Sequence, residues 1–156
     1  MPYGFGLREN NMETSKEGMK ILELREGIRL KAYKDSVGIL TIGVGHTSMA
    51  GKPMVVPGMV ITQDQCDEIF ARDIKPVETT VNNLVKVPLT QNQFDALVSF
   101  VFNIGGGAFS KSTLLRKLNE KDYAGAADQF LVWVKQPELT GRRKNERAQF
   151  LKKDAK

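Results

Sequence analysis

The stretch Glu26-Gly-Ile-Arg-Leu-Lys-Ala-Tyr-Lys-Asp35-Ser-Val-Gly-Ile-Leu-Thr41 is where this chain changes its periodicity. Upstream, Thr14-Ser-Lys-Glu17 has the form of a capping box, in which the threonine hydroxyl and the glutamate side chain satisfy each other's backbone amides. It predicts a helix carrying Met19, Ile21, Leu22 and Leu24 and closing near Gly27, which puts Glu26 at the helix's C-terminal end. The macrodipole is negative there, so a carboxylate is disfavoured and its pKa is expected to rise. Asp35-Ser-Val-Gly38 reads as a tight turn between strands at 30–34 and 39–44, with alternation in Leu40-Thr-Ile-Gly-Val44. Glycines at 38, 43, 45, 51 and 58 and prolines at 53 and 57 extend this character over residues 28–61.

From Thr62 the pattern is helical. Thr62-Gln-Asp-Gln65 and Thr90-Gln-Asn-Gln93 are further capping boxes. The first leads into Cys66, Ile69, Phe70 and Ile74 on one face, with Pro76 interrupting. The second leads into Phe94, Leu97, Val98, Val101 and Phe102, apolar on most sides and therefore expected to be the central buried helix. Gly105-Gly-Gly107 should stop it, and further helices are expected near 110–119, 122–134 and 140–152. The fold class is α+β, with a small antiparallel β-lobe over about 28–61, a larger helical lobe over about 62–152 and a cleft between them. Residues 1–13 read as a flexible leader and 14–156 as a single domain.

The chain has 156 residues, a net charge of +5, one cysteine and one histidine. A single cysteine makes no internal disulfide, so stability must come from packing, and Cys66 reads as a small buried helix residue. His46 alone cannot build a histidine-rich metal site; it is expected to be buried and paired with Asp73. No apolar run approaches the roughly 20 residues of a membrane span, and the N-terminal stretch lacks the apolar core of a secretory signal. Basic residues gather at the end, including Arg142, Arg143, Lys144, Arg147, Lys152, Lys153 and Lys156. They suit either a solvated helix face or approach to a polyanion, and charge alone does not separate the two.

Glu26 and Asp35, in unequal surroundings, are the two carboxylates that acid-catalysed glycoside hydrolysis requires: one raised in pKa to give a proton, one ionised. Each residue also has an ordinary reading, Glu26 as a surface residue closing a helix, Asp35 as a turn former and Thr41 as a strand residue. Their spacing is Glu, eight residues, Asp, five residues, Thr. With Thr41-Ile-Gly-Val-Gly-His-Thr47 adjoining, it resembles the catalytic signature of the phage-type lysozymes, glycoside hydrolase family 24. Leu22–Tyr33, Val56-Pro-Gly-Met-Val-Ile-Thr62, the 89–105 helix and Ser112-Thr-Leu-Leu-Arg-Lys-Leu-Asn119 are similar to that family in the same order. Arg142, Arg143, Glu146 and Phe150 match its closing segment, but Glu138 stands where glycine is usual and Gln149 where leucine is.

The resemblance implies an endolysin that cuts the β-1,4 bond from N-acetylmuramic acid to N-acetylglucosamine in peptidoglycan, with inversion, for host cell lysis. Glu26 would be the acid, and Asp35 and Thr41 would hold the attacking water. Thr47, Phe102, Asn103 and Ser112 match substrate-facing positions, and one of Arg142 and Arg143 is a candidate partner for Glu26. No cofactor, metal, nucleic-acid partner or membrane insertion is expected, and the protein should act as a monomer. It should stay in the host cytoplasm until a separate permeabilising protein releases it to the cell wall. The alternatives are a lytic transglycosylase of related fold, which manages with the glutamate alone, and a non-catalytic wall-binding module.

Overall fold

A computed structural model describes residues 10–153. They are mostly helical with one two-stranded antiparallel sheet, in the order α1 (Lys16–Glu26), β1 (Arg29–Lys34), β2 (Leu40–Gly43), α2 (Gln63–Asp73), α3 (Lys75–Leu84), α4 (Gln91–Ile104), α5 (Gly106–Ser110), α6 (Thr113–Asn119), α7 (Tyr123–Gln129) and α8 (Thr140–Leu151). The chain divides into two compact units, one spanning Lys20–Pro76 and the other formed by the residues up to Met19 together with those from Val77 onward.

In the first of these, β1 and β2 pair with Tyr33 opposite Thr41 and Lys34 opposite Leu40, with an irregularity between Arg29 and Tyr33. The hairpin turn is built by Asp35, whose amide donates to Ile39 O and whose Oδ1 accepts from the amides of Val37 and Ile39. Gly38 takes the left-handed φ of 86° that this turn needs. Leu22, Ile42, Val44, Val55, Ile61, Cys66, Ile69, Phe70 and Ile74 form the buried apolar set. The Thr62–Gln65 capping box is present as expected. His46 is buried, with Nδ1 2.7 Å from Asp73 Oδ2 and Nε2 2.9 Å from Pro53 O, which ties the 43–53 loop to the end of α2. Burial pushes the Cys66 thiol up from its ordinary pKa, as suits a packing residue rather than a reactive one.

The other unit is organised around α4, whose residues from Phe94 to Val101 are all buried. The ring of Phe100 meets Phe109, Phe130 and Trp133 at centroid distances of 6.4, 5.0 and 5.7 Å, in edge-on and tilted arrangements that suit the ring quadrupoles. The Thr90–Gln93 box is present. Pro76, the last residue of the Lys20–Pro76 unit, sits in the first turn of α3, where its missing amide costs nothing.

Three expectations change. The cap of α1 is Ser15, whose Oγ accepts from the Gly18 amide at 2.9 Å, because Thr14 instead donates its amide and hydroxyl to the buried carboxylate of Glu78. Ser15 also donates to Asp95, and a Cβ at Gly18 would lie 2.6 Å from that carboxyl group, so only glycine fits. The glycines after α4 end it but also start α5, where Gly106 lets Thr80 approach. Of the expected leader, residues 1–9 lie outside the described residues, whereas Asn10–Glu13 are hydrogen-bonded to Val85, Val87, Asn82 and Gln91.

Candidate active site

Glu26 is the last residue of α1, and Gly27 turns the chain out of the helix with a φ of 89°. Gly27 donates its amide to Glu23 O at 2.8 Å, which closes the last turn of the helix. Asp35 is half-buried; its Oδ1 is consumed by the turn, and Oδ2 takes no part in it. Thr41 is buried on β2 and donates its hydroxyl proton to Ile39 O at 2.9 Å. That bond leaves the Thr41 oxygen as an acceptor. Thr47 is half-buried and precedes the 3₁₀ turn Ser48–Ala50 without capping it through its side chain.

One turn before Glu26, Glu23 carries a signal that sequence reading did not single out. It is buried, and desolvation, a side-chain hydrogen bond to Asp67 and the charge of that residue push its pKa from 4.5 up to about 7, against a weaker pull from Lys20. Its proton is directed at Asp67 on α2, so it bridges two helices. Glu23, Cys66 and Asp67 bring donor atoms within 4.8 Å of one another. Burial raises the pKa of both Glu23 and Cys66, and Glu23 shares a side-chain hydrogen bond with Asp67.

A carboxyl whose pKa is raised by folding contributes stability in full below pH 4.5 and loses it as pH rises to about 7. Glu23→Gln keeps a donor toward Asp67 and cannot ionise. Thermal melts across that window should show a flatter pH profile for the variant and a gain at pH 8 of up to about 3 kcal/mol. Parallel profiles for variant and wild type would contradict this.

In the other unit, Asn103 is exposed near the end of α4, and its Oδ1 accepts from Arg143 Nη2. A guanidinium only donates, so this contact fixes the amide with Nδ2 as the group left to meet a ligand. Arg143 is itself buried; it donates to Trp133 O and Glu146 Oε1, each at 2.8 Å, and lies over the Phe100 ring. Glu146, also fully buried, accepts in addition from Arg142 Nε at 3.0 Å and Ser99 Oγ at 2.6 Å. Phe102 is half-buried beside Asn103. Ser112 is buried, and its hydroxyl is used twice: it donates to Phe109 O and accepts from Leu115 N as the cap of α6.

Comparisons with known proteins show the family to which the chain belongs. A family model described as phage lysozyme matches residues 23–146. The endolysin of Salmonella phage P22 is 51% identical over 144 residues, covering 90% of this chain and 99% of that protein. The endolysin of Acyrthosiphon pisum secondary endosymbiont phage 1 is 44% identical over 148 residues, covering 89% and 98%. A crystal structure of a P22 lysozyme mutant superposes with a TM-score of 0.86 at 49% identity, covering 91% of this chain and 100% of that one. The chain belongs to the phage lysozyme family and is a peptidoglycan-degrading glycoside hydrolase, a muramidase.

Proposed function

We propose that the enzyme hydrolyses the β-1,4 bond from N-acetylmuramic acid to N-acetylglucosamine with inversion, Glu26 protonating the leaving oxygen while Asp35 and Thr41 hold the attacking water. The observation that carries this reading is the unspent acceptor on each of the latter two. Thr41 has given its proton to Ile39 O, and Asp35 has committed only Oδ1 to its turn. A water donating one proton to Thr41 Oγ1 and the other to Asp35 Oδ2 keeps a lone pair for the anomeric carbon. Asp35 can then take the proton that the water loses, as inversion requires.

Asn103 Nδ2 supplies a donor for a sugar acceptor, and Phe102 and Thr47 supply further contacts with the glycan. Ser112 enters this reading only through α6, which its hydroxyl caps. Release to the wall by a separate permeabilising protein belongs to the same reading. Among the described residues no helix is long and apolar enough to cross a membrane. Cells expressing the protein should stay intact until the inner membrane is permeabilised; lysis without that step would remove the proposed route.

Clearing of purified peptidoglycan tests the site. Asp35→Asn should slow it by about a hundredfold or more, and Thr41→Val by a smaller factor, with melting temperatures close to wild type. Clearing by Asp35→Asn at the wild-type rate would overturn the assignment.

A further inference from the structure

Glu23, Cys66 and Asp67 all belong to the Lys20–Pro76 unit, and the proposed hydrolysis uses none of them. Glu23 reaches the group from α1 and the other two from α2. Each offers an atom of a kind that binds metal ions, and the three atoms lie within 4.8 Å of one another. Glu23 and Cys66 are buried, whereas Asp67 is exposed and leaves the group one side open to solvent.

Packing alone does not account for the Cys66 thiol. It is 1% exposed and has no hydrogen-bond partner among the described residues, yet its sulfur faces two carboxyl groups. On another side β2 closes over it, so that a Cβ at Gly43 would lie 3.3 Å from the sulfur. The polar contacts around the group are few: Gln63 Nε2 donates to Asp67 Oδ1 at 2.8 Å, and Glu23 shares its proton with Asp67. No Lys or Arg forms an ion pair with any of the three among the described residues, and Lys20 exerts only a weaker pull on Glu23. Three donors that ionise to anions thus converge with no cation among them, and buried charges are paired or bound to metals. Donors around a zinc ion sit about 2.0–2.3 Å from it, hence about 3.3–3.7 Å from each other in a tetrahedron. A shift of about 1 Å in the two carboxyl groups, each at the end of a flexible side chain, reaches that spacing.

We propose that Glu23, Cys66 and Asp67 bind a thiophilic divalent cation of the zinc class, which ties α1 to α2. The sulfur ligand selects such a cation over magnesium or calcium, and water on the Asp67 side completes the coordination. Binding exchanges the protons of the Glu23 carboxyl and the Cys66 thiol for one dication, so the net charge of the cluster is the same with and without it. The ion is a clamp and not a reagent, because the step assigned to Glu26, Asp35 and Thr41 does not pass through it. Without a cation the Glu23–Asp67 hydrogen bond holds the two helices instead.

The test is a cobalt(II) titration of the full chain, reduced and stripped of metal by a chelator. Cys66 is the only cysteine, so a thiolate-to-cobalt charge-transfer band can arise nowhere else. The band should saturate at one cobalt per chain, and zinc should abolish it by displacement. Zinc should also raise the Tm by about 4 °C or more, and magnesium at the same concentration should not. Cys66→Ala should remove the band, while Glu23→Gln and Asp67→Asn should each weaken cobalt binding by about tenfold or more. Asp67 is exposed, so its variant reads the site without disturbing the core. Absence of the band at saturating cobalt would overturn the proposal. So would an unchanged midpoint in both carboxyl variants, which would mean a thiol acting alone, or equal stabilisation by zinc and magnesium.

Discussion

Glu26→Gln should lose clearing of peptidoglycan by about a thousandfold or more while the protein melts as wild type does. The substitution keeps the shape and one carbonyl oxygen of the side chain, so the turn that closes α1 through Gly27 remains. What it removes is a proton that can be transferred, and an acetal does not part at neutral pH without one on its leaving oxygen. The effect should therefore appear in kcat rather than in KM, since a step made only in the transition state is lost. Retained clearing would transfer the acid role to another carboxyl. Glu23 is the neighbour with a raised pKa, but its proton faces Asp67 on α2.

The largest loss of stability should come from Glu146→Ala. Glu146 is fully buried, and its two oxygens accept from Arg142, Arg143 and Ser99. Truncation leaves the Arg143 guanidinium inside the unit with Trp133 O and the Asn103 amide as its remaining partners, neither of which carries charge. Removing one member of such a pair costs about 3–5 kcal/mol, mostly the price of a buried charge left uncompensated. Urea unfolding should show this drop, with Glu146→Gln losing less because an amide oxygen still accepts. A loss below about 1 kcal/mol would mean that the network is far better hydrated than its burial indicates.

Features that depend on residues three or four apart were readable from the chain itself. The Thr62 and Thr90 caps, the Asp35 turn and the apolar face of α4 all have this local origin. Pairing of His46 with Asp73, 27 positions apart, is the one long-range contact that the sequence reading anticipated. Features set by other distant partners were not. The Thr14 box gives way because Glu78 takes its donors from 64 positions away, and Asp95 claims Ser15 from 80 away.

The same distinction runs through the candidate site. Glu26, Asp35 and Thr41 stand out by spacing within one continuous segment. Glu23 does not, because its raised pKa arises first from burial and then from Asp67 on another helix. Ser112 looked like a ligand for sugar, yet its hydroxyl is used within the chain, a fact that only the positions of Phe109 O and Leu115 N reveal. The orientation of Asn103 likewise depends on Arg143, 40 positions later.

The most direct measurement of the mechanism is the chemistry of the new chain ends when the wild type digests purified peptidoglycan, read by mass spectrometry before and after borohydride reduction. Hydrolysis by Glu26 with water held at Asp35 and Thr41 predicts reducible N-acetylmuramic acid ends. Non-reducible 1,6-anhydro ends, which form when the sugar's own hydroxyl replaces the water, would contradict it.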